Sequence, residues 1–194
     1  MRIAMMGSGG IGGYFGGRMA AAGADVTFIA RGRHLAAMRE AGLRLDSRDM
    51  GDVVINPVNA TDDPASGSPV DYVIIGVKLW DTEDVGRAIL PMLGPDTAVL
   101  SLQNGVDCDD ILAPIVGRER LISGVAFLAS SIFEPGVIRH IGTMQRIVMG
   151  EPGGRDSARL VALQNMMLKA GITAEISDDI QRTLWEKFVF LVGL

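Results

Sequence analysis

Apolar positions fall in short runs punctuated by glycine. "RIAMM" (2–6) ends in "GSGGIGG", which predicts a buried strand feeding a glycine-rich turn. "IGGYFGGRMAAAG" continues as a helix stopped at Gly23. "DVTFIA" (25–30) is a second strand, and "RHLAAMREAG" (33–42) a second helix closed by glycine. From Leu43 to Asn59 the pattern alternates: "LRLDS" and "DVVINPV" around "RDMGD" predict a hairpin or two short connecting strands. Residues 60–69 read as a loop, and "DYVIIGVK" (71–78) as a strongly buried strand. "DTEDVGRAILPML" (81–93) is a helix with Asp81 or Thr82 as N-cap. "TAVLSLQNG" (97–105) is a strand and tight turn, and "DDILAPIVG" (109–117) a short helix.

Residues 121–142 predict strands around an "EPG" turn, and "RIVMG" (146–150) adds one more. Residues 155–171 form an amphipathic helix stopped by Gly171, followed by the strand "ITAEIS" (172–177). "DDIQRTLWEKFVFLVGL" (178–194) opens a helix with acidic residues at its positive end and carries no stop signal.

Strand and helix alternate through most of the chain. The expected fold class is therefore α/β, a Rossmann-type doubly wound and mostly parallel sheet. The expected boundary lies near Ser177–Asp179, giving a cofactor-binding domain over 1–177. Residues 178–194 would be the first helix of a second, helical domain.

Composition narrows the function. Apolar residues at 48% and charged ones at 21% allow an ordinary core. A net charge of -5 opposes nucleic acid as the main partner. Cys108 alone can form no intramolecular disulfide and is too little for a zinc site. With no signal peptide and no apolar run of the ~20 residues that span a membrane, a cytoplasmic protein is expected. Of the 18 basic residues only Lys78, Lys169 and Lys187 are lysine, which leaves fifteen arginines. The lysines therefore repay individual attention.

Gly7, Ser8, Gly9, Gly10, Ile11 and Gly12 match G-x-G-x-x-G between a strand and a helix, the context a dinucleotide requires. Gly7 permits the tight turn, Gly9 lets the backbone approach a pyrophosphate, and Gly12 lets helix and strand pack closely. At the end of the second strand stands Arg31, with Arg33 behind it and no acid. A guanidinium there suits a 2′-phosphate, so NADP(H) is the expected cofactor. Lys78 and Asn104 also end strands, at the edge where such sheets bind ligands. Singly, a surface lysine and an Asn-Gly turn would explain them equally well.

"GSGGIGGYFGGRMAAAG", the strand-end "AR", "VIIGVKLWDT", "SLQNGV" and "LWEKF" occur in this order. The set resembles the ketopantoate reductase (2-dehydropantoate 2-reductase) family over essentially the whole chain. The resemblance implies NADPH-dependent reduction of a small keto acid, 2-dehydropantoate, to pantoate on the way to coenzyme A. It implies Lys187 as proton donor, and Asn104 beside nicotinamide and substrate. It also implies Lys78 near the cofactor and Ala129 as a backbone contact to it. The chemistry agrees: an ammonium can stabilise the charge that builds on a ketone oxygen and release a proton, which arginine holds too tightly.

Two departures stand out. The family's asparagine one turn beyond the lysine is Leu191 here. A serine and a glutamate expected from a helical domain are also missing, so the chain is expected to be truncated within that domain's first helix. Trp185 and Phe188 would then lie exposed and could pair two copies into a homodimer. Two other readings remain: another Rossmann hydroxy-acid dehydrogenase, or a non-catalytic module that binds NADP(H). His34 is read as incidental and His140 as structural.

Overall fold

The computed structural model describes residues 1–66, 69–154 and 157–193. Gly67, Ser68, Arg155, Asp156 and Leu194 lie outside the described residues, and with them parts of the predicted loop, helix start and chain end. The strands are β1 (Arg2–Met6), β2 (Asp25–Ile29), β3 (Leu43–Ser47), β4 (Val53–Ile55), β5 (Asn59–Thr61), β6 (Val70–Ile75), β7 (Leu93–Ser101), β8 (Leu121–Glu134), β9 (Val137–Gly150) and β10 (Thr173–Ile176). The helices are α1 (Gly10–Ala21), α2 (Gly32–Ala41), α3 (Thr82–Ala88), α4 (Cys108–Val116), α5 (Ala158–Lys169) and α6 (Ile180–Val192).

All ten strands join one sheet in the order β4-β3-β9-β8-β7-β6-β1-β2-β5, with β10 beside β9. The run β5-β2-β1-β6-β7-β8 is parallel throughout. Renumbered along the chain it reads 3-2-1-4-5-6, the dinucleotide-binding order, with its switch point between β1 and β6. Ile3 and Met5 face α1, α2 and α5 in one core, while Ala4 and Met6 join the opposite core with residues of α3 and α4. Burial on both faces is why β1 reads as an unbroken apolar run. Helix α1 carries glycines that cost helix stability yet permit close packing. A Cβ on Gly16 would stand 2.6 Å from Met5 Cγ.

Two expectations need correction, and one holds in position only. The predicted loop at 60–69 contains the end of β5, which pairs with β2 at the sheet edge. Asp81 is the N-cap of α3 but its side chain makes no capping bond; the Thr82 hydroxyl donates instead to the Leu79 carbonyl at 2.5 Å. Residues 146–150 are no separate strand but the second half of β9, which pairs antiparallel with β8 in a long hairpin. The hairpin continues past an interruption because the extra residues loop out as a bulge. Between the pairs Leu128↔Gln145 and Ser130↔His140, Ala129 alone opposes residues 141–144. Gly142 within this bulge has φ +81°. The predicted hairpin at β3–β4 is present, Leu43 opposite Ile55.

Candidate active site at the carboxyl edge of the sheet

The glycine-rich loop follows β1. Gly7 adopts φ +93°, and a Cβ there would lie 2.6 Å from Val77 Cγ1. The Ser8 amide and hydroxyl both donate to the Ile29 carbonyl, at 3.2 and 3.0 Å. Gly9 is the N-cap of α1 and offers no side-chain cap, so the first-turn N–H groups remain available to an external acceptor. A Cβ on Gly12 would strike the Gly7 carbonyl oxygen, which seals the loop on the helix side. A Cβ on Gly9 would meet none of the described residues within 4 Å. The open side of the loop is therefore at Gly9.

Gly7, Ser8, Gly9, Arg31 and His34 line a cavity of about 270 Å³ there. Uncapped N–H groups at the positive end of a twelve-residue helix suit a pyrophosphate. Beside Gly10, the buried Ser130 hydroxyl has no hydrogen-bond partner among the described residues. The chain's residues thus fit a dinucleotide. Arg31, the N-cap of α2, is exposed and borders this cavity. Lys78 has an exposed side chain and flanks the same crevice, where Val77 and Asp81 form the lining. Its carbonyl accepts a bond from Gln103 Nε2 at 3.2 Å.

The other end of the loop opens on a second cavity, of about 540 Å³. Ile11, Asn104, Ala129 and Lys187 line it, with the Ile141–Met144 bulge forming one wall. Lys187 reaches it from α6, whose Asp179 cap accepts the Arg182 amide at 3.0 Å. Ile180 seats the helix against Val125 and Val148. Lys187 Nζ donates to the Asn104 Oδ1 at 2.9 Å and to the Ala126 carbonyl at 2.6 Å. It also stands 5.5 Å from the centre of the Phe127 ring. Burial pushes the lysine pKa below its usual 10.5. The two acceptors favour the charged form, so the group is an ammonium that surrenders its proton more readily than a solvated lysine. Leu191 lines this cavity one turn beyond Lys187.

The structure therefore gathers Gly9, Ser8 and Arg31 in one cavity, and Ile11, Asn104, Ala129 and Lys187 in the next. Sequence reasoning missed Ser130 and set His34 aside. Nothing local marks the serine, whose lack of a partner is a tertiary fact. His140 is structural: it is buried, with Nδ1 2.9 Å from the Ser47 hydroxyl and Nε2 3.0 Å from the Met144 carbonyl.

The strand order and the open helix terminus at its switch point define a Rossmann-type dinucleotide-binding fold. Residues 3–154 match the family described as Ketopantoate reductase PanE/ApbA, and the chain belongs to that family. It is 33% identical over 208 residues to the 2-dehydropantoate 2-reductase of Mesorhizobium japonicum, covering 96% of this chain and 63% of the relative. Among solved structures, the 2-dehydropantoate 2-reductase of Geobacter metallireducens GS-15 is 37% identical with a TM-score of 0.92, over 98% of this chain and 62% of that one. That of Porphyromonas gingivalis W83 is 30% identical with a TM-score of 0.93, over 98% of this chain and 69% of that one. The chain thus spans about 63% of the length of the Mesorhizobium relative.

Proposed function

We propose that this chain holds NADPH and supplies the proton donor for the reduction of 2-dehydropantoate to pantoate. The observation that carries the reading is the Lys187 ammonium on Asn104, in the cavity that adjoins the glycine loop. A bound NADPH supplies the hydride. The N–H groups from Gly9 to Gly12 hold the pyrophosphate, Arg31 pairs with the 2′-phosphate, and Lys78 adds charge at the edge of the crevice. Ala129 offers its backbone to the cofactor. Lys187 donates its proton to the ketone oxygen as negative charge grows there, and Asn104 holds the ammonium in place. Residues 1–177 act as the cofactor domain, and 178–194 begin the substrate domain. On α6 Trp185 is exposed as expected and Phe188 is half-buried instead; the exposed Trp185, Val189 and Phe190 support pairing of two copies. A clean monomer in concentrated sedimentation runs would oppose that pairing.

One observation favours a second reading. Leu191 presents an apolar wall where a hydroxylated keto acid would want a hydrogen bond, which suits a hydroxy-acid dehydrogenase with another substrate. The deciding experiment titrates the chain with NADPH and with NADH, then assays turnover of 2-dehydropantoate. Preference for NADPH with turnover that Lys187→Ala abolishes supports the reductase. Binding without turnover of any keto acid points to a cofactor-binding module. Binding of neither dinucleotide rejects the cofactor reading.

A further inference from the structure

We propose that His34 is a positioning residue for the cofactor: it orients the glycine-rich loop through Ser8 and ties that loop to the tip of the β8–β9 hairpin. The proposal rests on the dinucleotide reading above.

His34 lies in the first turn of α2, half-buried, on the wall of the cavity beside Gly9. Its ring bridges two elements that are far apart in the chain. Nδ1 is 3.0 Å from the backbone nitrogen of Gly136, in the hairpin turn. Nε2 is 2.9 Å from the Ser8 carbonyl oxygen. These partners determine the tautomer. An amide N–H can only donate, so Nδ1 must accept; a carbonyl can only accept, so Nε2 must carry the proton. The ring is therefore a neutral imidazole with its proton on Nε2. Burial lowers its pKa below the usual 6.5 and so favours this form.

The Ser8 contact has a geometric consequence. A peptide unit is planar and trans, so its C=O and N–H point in opposite directions. By drawing the Ser8 carbonyl toward itself, His34 sets the direction of the Gly9 N–H. Ser8 is already fixed through its amide and hydroxyl to Ile29. His34 adds the third restraint, and the only one of these three on the carbonyl. A loop with its N–H groups already aimed binds an anion without first being ordered.

The Gly136 contact extends the same restraint to the hairpin. Gly136 has φ +81°, and its carbonyl accepts from the Arg44 amide of β3 at 2.9 Å. Ile132, four residues before it, lines the same cavity as His34. Ser130, six residues before it, stands against Gly10. The segment of β8 that crosses the mouth of the loop is thus held near its far end by the imidazole.

The test compares three substitutions in the 194-residue chain by NADPH fluorescence titration at pH 8. The glutamine amide of His34→Gln reaches as far as Nε2 and can keep the bond to Ser8. The asparagine of His34→Asn reaches only as far as Nδ1 and can keep the bond to Gly136. His34→Ala keeps neither. The expected result is Gln within about threefold of wild type and Asn and Ala weaker by roughly tenfold, the worth of one buried hydrogen bond. Thermal melts of Gln and Asn should agree within ~2 °C, since each keeps one bond. Equal affinity in all four proteins overturns the proposal, as does a Gln variant no better than Ala. Nitrogen-15 NMR of wild-type His34 gives an answer independent of any variant's folding: a proton on Nε2 supports it, and a proton on Nδ1 overturns it. A wild-type chain that binds neither NADPH nor NADH overturns the cofactor reading itself and this proposal with it, and it does so before any substitution is made.

Discussion

Lys187 and Asn104 are 83 residues apart in the chain, yet the lysine Nζ donates to the asparagine Oδ1 at 2.9 Å. One comes from α6 and the other from the turn after β7. Lys187→Ala should cut turnover by about 10²–10⁴-fold, the usual worth of a general acid. NADPH affinity should change little. Lys187→Arg should not restore the rate, because a guanidinium keeps the charge but not a transferable proton. Single-turnover hydride transfer, followed by loss of NADPH absorbance, is the check. Restoration by arginine would assign Lys187 a purely electrostatic role.

The rate should also report the lysine's charge. A proton donor works only while protonated, so reduction slows as pH rises through the Lys187 pKa. Burial lowers that pKa, so the alkaline limb should lie below 10.5. A pH–rate profile locates it, and a limb at or above that value would contradict the buried environment.

Gly9 and Gly12 should separate binding from folding. A methyl on Gly9 meets none of the described residues within 4 Å, and Gly9 has a negative φ of −76°. Gly9→Ala should therefore melt like wild type while losing NADPH affinity, because the methyl occupies the cofactor's side of the loop. A methyl on Gly12 runs into the Gly7 carbonyl oxygen. Gly12→Ala should cost about 1–3 kcal/mol of stability, the range of overpacked sites. Chemical denaturation with parallel NADPH titration distinguishes the two.

Arg31→Ala should weaken NADPH binding by roughly 10- to 150-fold, equivalent to about 1.5–3 kcal/mol for a charged hydrogen bond. NADH should be affected far less, having no 2′-phosphate. Equal losses for both dinucleotides would move Arg31 from specificity to general loop structure.

Asp109 offers a stability test away from the cofactor. It is buried in the first turn of α4 and accepts a bond from the Ser123 hydroxyl. Burial raises its pKa above 3.8, against the lowering effect of Ser123. The folded state then holds this proton more tightly than the unfolded chain. Its contribution is fully present below pH 3.8 and is lost as pH rises through the folded pKa. Above that folded pKa the carboxylate is a buried charge. Asp109→Asn keeps an acceptor for Ser123 and should raise the melting temperature at pH 7. The gain should shrink on acidification below the folded pKa. A gain that persists unchanged at low pH would show that charge is not its source.

Particular elements show how far the chain could be read linearly. The glycine spacing announced the loop because backbone conformation and close approach are local demands: Gly7 needs its positive φ and Gly12 its missing Cβ wherever they occur. The strands β1, β2, β6 and β7 were legible because parallel strands buried on both faces are apolar along their length. β9 was misread because its bulge looks like a turn until β8 is beside it. β5 was missed because a three-residue edge strand in polar sequence is made by its partner, not by its own propensity.

The sequence by itself determined the α/β alternation, the glycine-rich loop and the residue types that chemistry could use. These follow from periodicity, from glycine's backbone and from the scarcity of lysine. Only the tertiary structure decided which of those residues meet. It brought Lys187 to Asn104, left Lys78 at the rim, stood Ser130 against Gly10 with no partner among the described residues, and turned His34 from a bystander into a bridge between Ser8 and Gly136. Those contacts depend on strand order and hairpin register. Both come from burying two faces of one sheet at once, which no short window of sequence records.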